Sequence, residues 1–223
     1  MASPAGALLL NWFDLDPKDE PAFEAWHNRE HVPERVALPG FLACRRFVAA
    51  GPRPVPGRQR LIVYDASGVG AFSSADYRRR LESPTELTMR IVPTLRRVSR
   101  AILETQFDRG IGQGTWLTCV AFPDKADLSD VRPVIDDLIG EPSLTRVTFA
   151  VRPATAADAK SGSAEGRATQ SDARSISACL LIEASTRNGV VGAARRIRRS
   201  RYAANAEMQT FRLSFVSAAV HLD

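Results

Sequence analysis

Short apolar runs of strand length recur along the chain, each cut off by polar or turn-forming residues. Residues 7–13 (ALLLNWF) are apolar except for Asn11 and end at Asp14-Leu15-Asp16-Pro17, which predicts a buried strand. Asp16 then offers an N-cap and Pro17 a first helical position, so a helix is expected over 17–31, stopped by Pro33. Phe23, Trp26, His27 and His31 fall on one face of it, at helical spacing. Residues 41–48 and 60–64 read as two further strands around a Gly/Pro-rich connection. A helix over 69–81, a short helical piece from Ser83-Pro84 to Pro93 and a strand over 98–107 complete the order βαββαβ.

After the glycine-rich stretch 109–114 the order begins again. Strands are expected at 116–122, 145–151, 177–183 and 208–220, and helices at 128–139 and 189–202. Pro142 stands where Pro39 stood, an offset of 103 residues. The segment 154–174 has no aromatic and no large aliphatic residue, so a mobile hairpin loop is expected there. The chain thus divides into a first repeat (1–108), a linker (109–114) and a second repeat (115–223). Each βαββαβ unit yields a four-stranded antiparallel sheet with helices on one face and the other face bare. Two copies on one chain can cover each other's bare faces by closing into an α+β barrel around a cavity.

Composition narrows the partners. With 44% hydrophobic and 25% charged residues the chain is ordinary for a soluble globular protein, and no apolar run reaches membrane-spanning length. A cytoplasmic address is expected. Cys44, Cys119 and Cys179 each sit in an apolar run without metal-ligand spacing and read as buried free thiols. The net charge of +5 is spread evenly, +3 over 1–112 and +2 over 113–223. The arginine-rich stretch 195–201 lacks interleaved aromatics and reads as a solvated helix face, so neither nucleic acid nor membrane is an expected partner. His27 and His31 lack the glutamate directly after the first histidine that a zinc-protease helix carries, and no metal is expected.

Trp26-His27-Asn28-Arg29-Glu30-His31-Val32-Pro33-Glu34-Arg35, followed by Leu38-Pro39-Gly40-Phe41 and Arg45-Arg46-Phe47, resembles the dimeric α+β-barrel superfamily, most closely its EthD-like members. The resemblance covers residues 7–107 by motif and the second half by architecture. It implies α+β ferredoxin-like repeats, here two in tandem forming an intramolecular dimeric barrel, with a ligand cavity between helix and sheet. The superfamily holds cofactor-free monooxygenases, isomerases, polyketide cyclases, decarboxylases and haem enzymes, so fold alone fixes little chemistry. At the 103-residue offset Ser129, Asp130 and Val134 stand opposite Trp26, His27 and His31. Any site therefore belongs to the first repeat, with the second closing the barrel.

His31 is the leading acid/base candidate, because imidazole exchanges protons near neutral pH, and His27 the second. Against that stands a capping role for His31 at a helix C-terminus. Asn11, Trp26, Phe41, Arg45 and Tyr64 are the candidate substrate contacts: Asn11 or Tyr64 to polarise an oxygen, an inward Arg45 for an anion, the aromatics as walls. No GxSxG elbow or phosphate-cradling loop is present. The expected function is a small cofactor-free enzyme of lyase, isomerase or cyclase type acting on an aromatic or polyketide-like carbonyl compound. A cofactor-free monooxygenase and a non-catalytic barrel binding a hydrophobic small molecule or another protein are the alternatives. A haem, whose single histidine ligand leaves no sequence mark, stays open, as does further homodimerisation.

Overall fold

The first apolar run forms β1 (Ala7–Asp14), and the other runs follow suit: β2 (Phe41–Ala49), β3 (Arg60–Ala66), β4 (Arg96–Gly110), β5 (Trp116–Phe122), β6 (Leu144–Val151), β7 (Ala178–Ala184) and β8 (Glu207–Ala218). In this computed structural model, residues 5–51, 54–154, 158–172, 174–200 and 205–218 are described. His221 and the expected ends of the last helix and strand lie outside them. All eight strands pair antiparallel in one closed barrel, in the order β1-β3-β2-β8-β5-β7-β6-β4. Each half contributes its strands in the same order, β4-β1-β3-β2 and β8-β5-β7-β6, and the β2–β8 and β4–β6 seams join them.

Alternation along each strand sends one set of side chains inward and the other toward the helices. Leu8, Leu10, Trp12, Phe47, Leu61, Val63, Leu117, Leu181 and Phe211 fill the barrel interior. Among the described residues, these side chains occupy the space between the sheets where a cavity was expected. Inside the barrel, toward one end, Arg45, 2% exposed, donates from Nε and Nη2 to Asp65 at 3.0 Å each and from Nη1 to Glu183 at 2.6 Å. Two strands of the first half and one of the second thus meet on one guanidinium. Leaving any of these charges unpaired in such a place is expensive, which accounts for the saturation of the arginine.

The helices lie outside. In the first half they are α1 (Glu20–Trp26), α2 (Val32–Val36), α3 (Ala75–Glu82) and α4 (Glu86–Ile91). Ser74 and Thr85 cap the last two through side-chain oxygens that accept from Tyr77 and Thr88 backbone N–H. Contrary to expectation, Pro33 does not stop the first helix. Residues His27–His31 make a π turn in which Val32 N–H reaches back to the His27 carbonyl, and the helix continues through Pro33 to Val36. A proline has no N–H for the ordinary i→i−4 bond and crowds the carbonyl four residues back, and a widened turn just before it accommodates both. In the second half α5 (Leu128–Ile139) and α7 (Arg187–Arg198) cover the sheet around Phe149, Ile135 and Ile197.

The β6–β7 connection also departs from expectation. Its residues 158–172 fold into a compact segment containing α6 (Ala164–Arg167) and lie over the first half. Ser171 bridges to Val98, Gln170 donates to the Pro93 carbonyl at 2.7 Å, and Glu82 accepts from Ala164 N–H at 3.2 Å. Polar bonds and ion pairs to another part of the chain hold this segment, in place of the apolar residues it lacks. No helix among the described residues is long and apolar enough to cross a membrane.

Candidate functional site

The outward faces of β1, β3 and β4 place Asn11, Tyr64 and Arg100 side by side beneath α1 and α2: Leu9 pairs with Tyr64, and Asn11 pairs with Arg100. The π turn brings both imidazoles to this face, ring centroids 6.0 Å apart, and sets His31 against the Trp26 ring at 4.3 Å. Trp26 is itself pinned by its indole N–H, which donates to Thr88 at 2.9 Å. Between helix and sheet lies a cavity of about 30 Å³ lined by Leu9, Asn11, His31, Phe41, Tyr64 and Tyr77, with Arg35, Arg100, Lys160 and Glu165 at its polar end. That is room for a water or two.

Three polar atoms around this cavity stand out. His31 Nδ1 and the Tyr64 hydroxyl are buried and have no hydrogen-bond partner. Burial, reinforced by the neighbouring Arg35 and Lys160 charges, holds the His31 pKa well below its ordinary value, so the ring is neutral at neutral pH and able to accept a proton. Burial pushes the Tyr64 phenol well up, so it stays a hydrogen donor. The third is Tyr77 Oη, which accepts from Arg100 at 2.8 Å. A neutral base, a protonated phenol and fixed guanidinium donors around one cavity can take a proton from a carbon acid and hold the resulting oxyanion.

His27 sits apart from this opening. It is wholly buried, its Nδ1 lies 3.2 Å from an Arg46 nitrogen and its Nε2 is unpartnered. Because guanidinium can only donate, Nδ1 accepts and the proton resides on Nε2. Burial, His31 and Arg46 all lower its pKa well below normal. Arg46 also donates to Asn28 and Glu24 and lies over the Phe23 and Phe215 rings. His27 is thereby tied to a packed cationic cluster.

Of the residues singled out by sequence, His31, Asn11, Phe41 and Tyr64 line the cavity, whereas Trp26 backs His31 from outside it. Arg45 is elsewhere, locked in the barrel interior between Asp65 and Glu183. Arg35, Tyr77, Arg100, Lys160 and Glu165 complete the lining without having been picked out. Arg35 reads as a surface charge next to Glu34, yet it is 3% exposed and bonds Glu165, 130 residues away. No local pattern carries such a contact. The three cysteines are free and buried; burial pushes the Cys44 thiol up to about 12, which suits packing and not nucleophilic attack.

A haem does not fit these residues. The His31 imidazole stands among Arg35, Arg100 and Lys160, His27 is closed in by Phe23, Trp26 and Arg46, and the equivalent layer of the second half is filled by Phe149, Ile135, Leu180 and Ile197.

No protein-family profile matches the chain, and no curated protein matches it in sequence. Solved structures do resemble it. A candidate monooxygenase from Fusobacterium nucleatum subsp. nucleatum has a TM-score of 0.59 at 11% identity, over 100% of this chain and 98% of its own. An anthrone oxidase-like protein has a TM-score of 0.58 at 12% identity, over 96% and 94%. A chlorite dismutase from Candidatus Nitrospira defluvii scores 0.54 at 7% identity, over 96% and 92%. Identities this low establish the shared α+β-barrel fold across the whole chain.

Proposed function

We propose that the chain is a small EthD-like enzyme that works without a cofactor on an aromatic or polyketide-like carbonyl compound, with His31 as the base. The observation that carries this reading is the half-buried, neutral His31, whose buried Nδ1 has no partner and which lines the same cavity as the Tyr64 phenol. His31 would remove a proton from carbon next to the carbonyl, and Tyr64, with Asn11, would stabilise the enolate oxygen. Returning that proton to another atom gives isomerisation, expelling a leaving group gives a lyase, and attack on a second carbonyl of the same molecule gives cyclisation. His27 would serve beside His31 by fixing the π turn through Arg46. The first half bears the site, and the second closes the barrel and covers it.

Neighbours named as candidate monooxygenases and as anthrone oxidase-like favour one second reading. In it the same carbanion meets molecular oxygen, a methylene becomes a carbonyl, and the second oxygen atom leaves as water. A non-catalytic barrel binding a hydrophobic molecule is the remaining alternative.

The test is His31→Gln, screened with wild type against phenolic acids, aromatic ketones and anthrones, with binding read by thermal shift and products by mass spectrometry. The enzyme reading expects the variant to keep ligand binding and lose about 10²–10⁴ in turnover. Oxygen uptake during turnover selects the monooxygenase chemistry. Binding without conversion by wild type selects the non-catalytic barrel.

A further inference from the structure

The segment 158–172 places a carboxylate on each arginine of the cavity wall. Glu165 accepts from Arg35 Nη2 at 2.6 Å, and Asp158 pairs with Arg100. Both arginines belong to the first half, on α2 and β4, and both carboxylates to the connection that crosses from the second. Lys160, on the same connection, adds a bond to the other Glu165 oxygen at 2.9 Å. Glu165 is 2% exposed, so this carboxylate has been taken almost fully out of water to reach Arg35. Burial alone would raise its pKa, yet Lys160 and Arg35 hold it below the usual value, so it is bound as an anion.

Beyond the carboxylates, the wall offers mainly donors: two guanidiniums and the Tyr64 phenol. Arg35 has one other acidic neighbour, Glu34, at 4.0 Å. A second cavity of about 280 Å³, walled mostly by the segment itself, shares Arg100 and Lys160 with the His31 cavity. While the segment is in place the His31 cavity holds no more than water, and a carboxylate can reach Arg35 only where Glu165 now lies. A guanidinium fork matches a carboxylate in geometry as well as charge.

We propose that the substrate of this site carries a carboxylate on its aromatic or polyketide-like frame, and that Glu165 occupies the position of that group until the ligand displaces it together with its segment. The proposal rests on the reading of this cavity as the substrate site, and its test measures binding alone. Displacement exchanges one buried ion pair for another, so the barrel need never expose an unpaired Arg35.

Benzoate and its neutral isostere benzamide are titrated calorimetrically into the full chain as wild type, Glu165→Gln and Glu165→Gln/Arg35→Gln, at matched ionic strength. Removing the internal anion is expected to tighten benzoate binding about tenfold, leave benzamide unchanged, and lose the gain when Arg35 is also replaced. A gain shared by benzamide, or no gain, overturns the proposal. Hydrogen exchange on wild type is the second measurement and does not depend on the variants folding. Benzoate should speed exchange at amides 164–169 and leave the strands protected, and unchanged exchange up to the solubility limit of benzoate also overturns it. The benzoate gain without His31-dependent turnover removes the enzyme and keeps the ligand class; turnover without the gain does the reverse.

Discussion

Single side chains carry the proposed chemistry and some of the stability. The imidazoles of buried His27 and half-buried His31 are neutral in the folded chain and regain an ordinary pKa near 6.5 on unfolding. Their folded values are the lower ones, so below about pH 6.5 the unfolded chain binds more protons. Stability from this source is intact above that pH and is lost as pH falls toward the folded values. Denaturant unfolding between about pH 6.5 and 5 should lose up to about 1.4 kcal/mol per pH unit for each imidazole, and His27→Gln should halve the slope. A flat profile would refute neutral burial. Asp14 shows the opposite case. Burial raises its pKa, but Gly57 N–H, Arg97 and Gln59 N–H outweigh that and leave it lowered. Asp14→Asn keeps the shape and loses the charge that those donors converge on, so about 1–3 kcal/mol should disappear from unfolding free energy at neutral pH. The residue pattern announced the His31 face, because Phe23, Trp26 and the imidazoles share a helical period. It could not announce which arginine reaches the cavity, since Arg35, Arg45 and Arg46 are all buried and look alike until their partners are placed.

Among elements, the strands were legible because each is an apolar run with a polar stop, and the helices because apolar residues recur at helical spacing, whereas their starts at Ser74, Thr85, Asp127 and Thr186 emerge only in the structure. Two elements were not. The π turn depends on Pro33 being carried inside a helix that α1 and α2 share, and a proline read alone signals an end. The segment over the site is polar throughout, and its folding rests on Glu165, Asp158 and Gln170 meeting residues far away in sequence. Gly166 tests that segment in isolation. A Cβ there would lie 1.9 Å from the Lys160 carbonyl oxygen, backbone against backbone. Gly166→Ala should therefore detach α6: amides around 164–169 lose protection and trypsin cuts near Lys160 or Arg167, while the strands keep their exchange rates. Unchanged protection at 164–169 would mean the turn tolerates the methyl and is packed more loosely than described.

At the scale of the whole molecule, the closed barrel makes the two halves one cooperative object. The seams at β2–β8 and β4–β6 join them at the backbone, and Arg45 joins them through the interior. Arg45→Met leaves Asp65 and Glu183 without their shared cation, and among the described residues Gly114 N–H is then the one remaining donor to Glu183. A loss of about 3–5 kcal/mol is expected, with unfolding still a single transition in both far-UV circular dichroism and tryptophan fluorescence. Two separate transitions would show that the halves stand independently.

The connection that covers the site comes from the half that does not hold the histidines. An assembly of two identical chains must give the same connection to both halves, so any lengthening is repeated at a second, symmetry-related place. Here β2–β3 and β6–β7 are joined by stretches of different length, and only one had to become a cover. On the proposed reading, recognition and chemistry are thus written in separate portions of the sequence. A laboratory seeking a new selectivity can graft a different β6–β7 connection and leave the histidine-bearing helix and the barrel staves as they are.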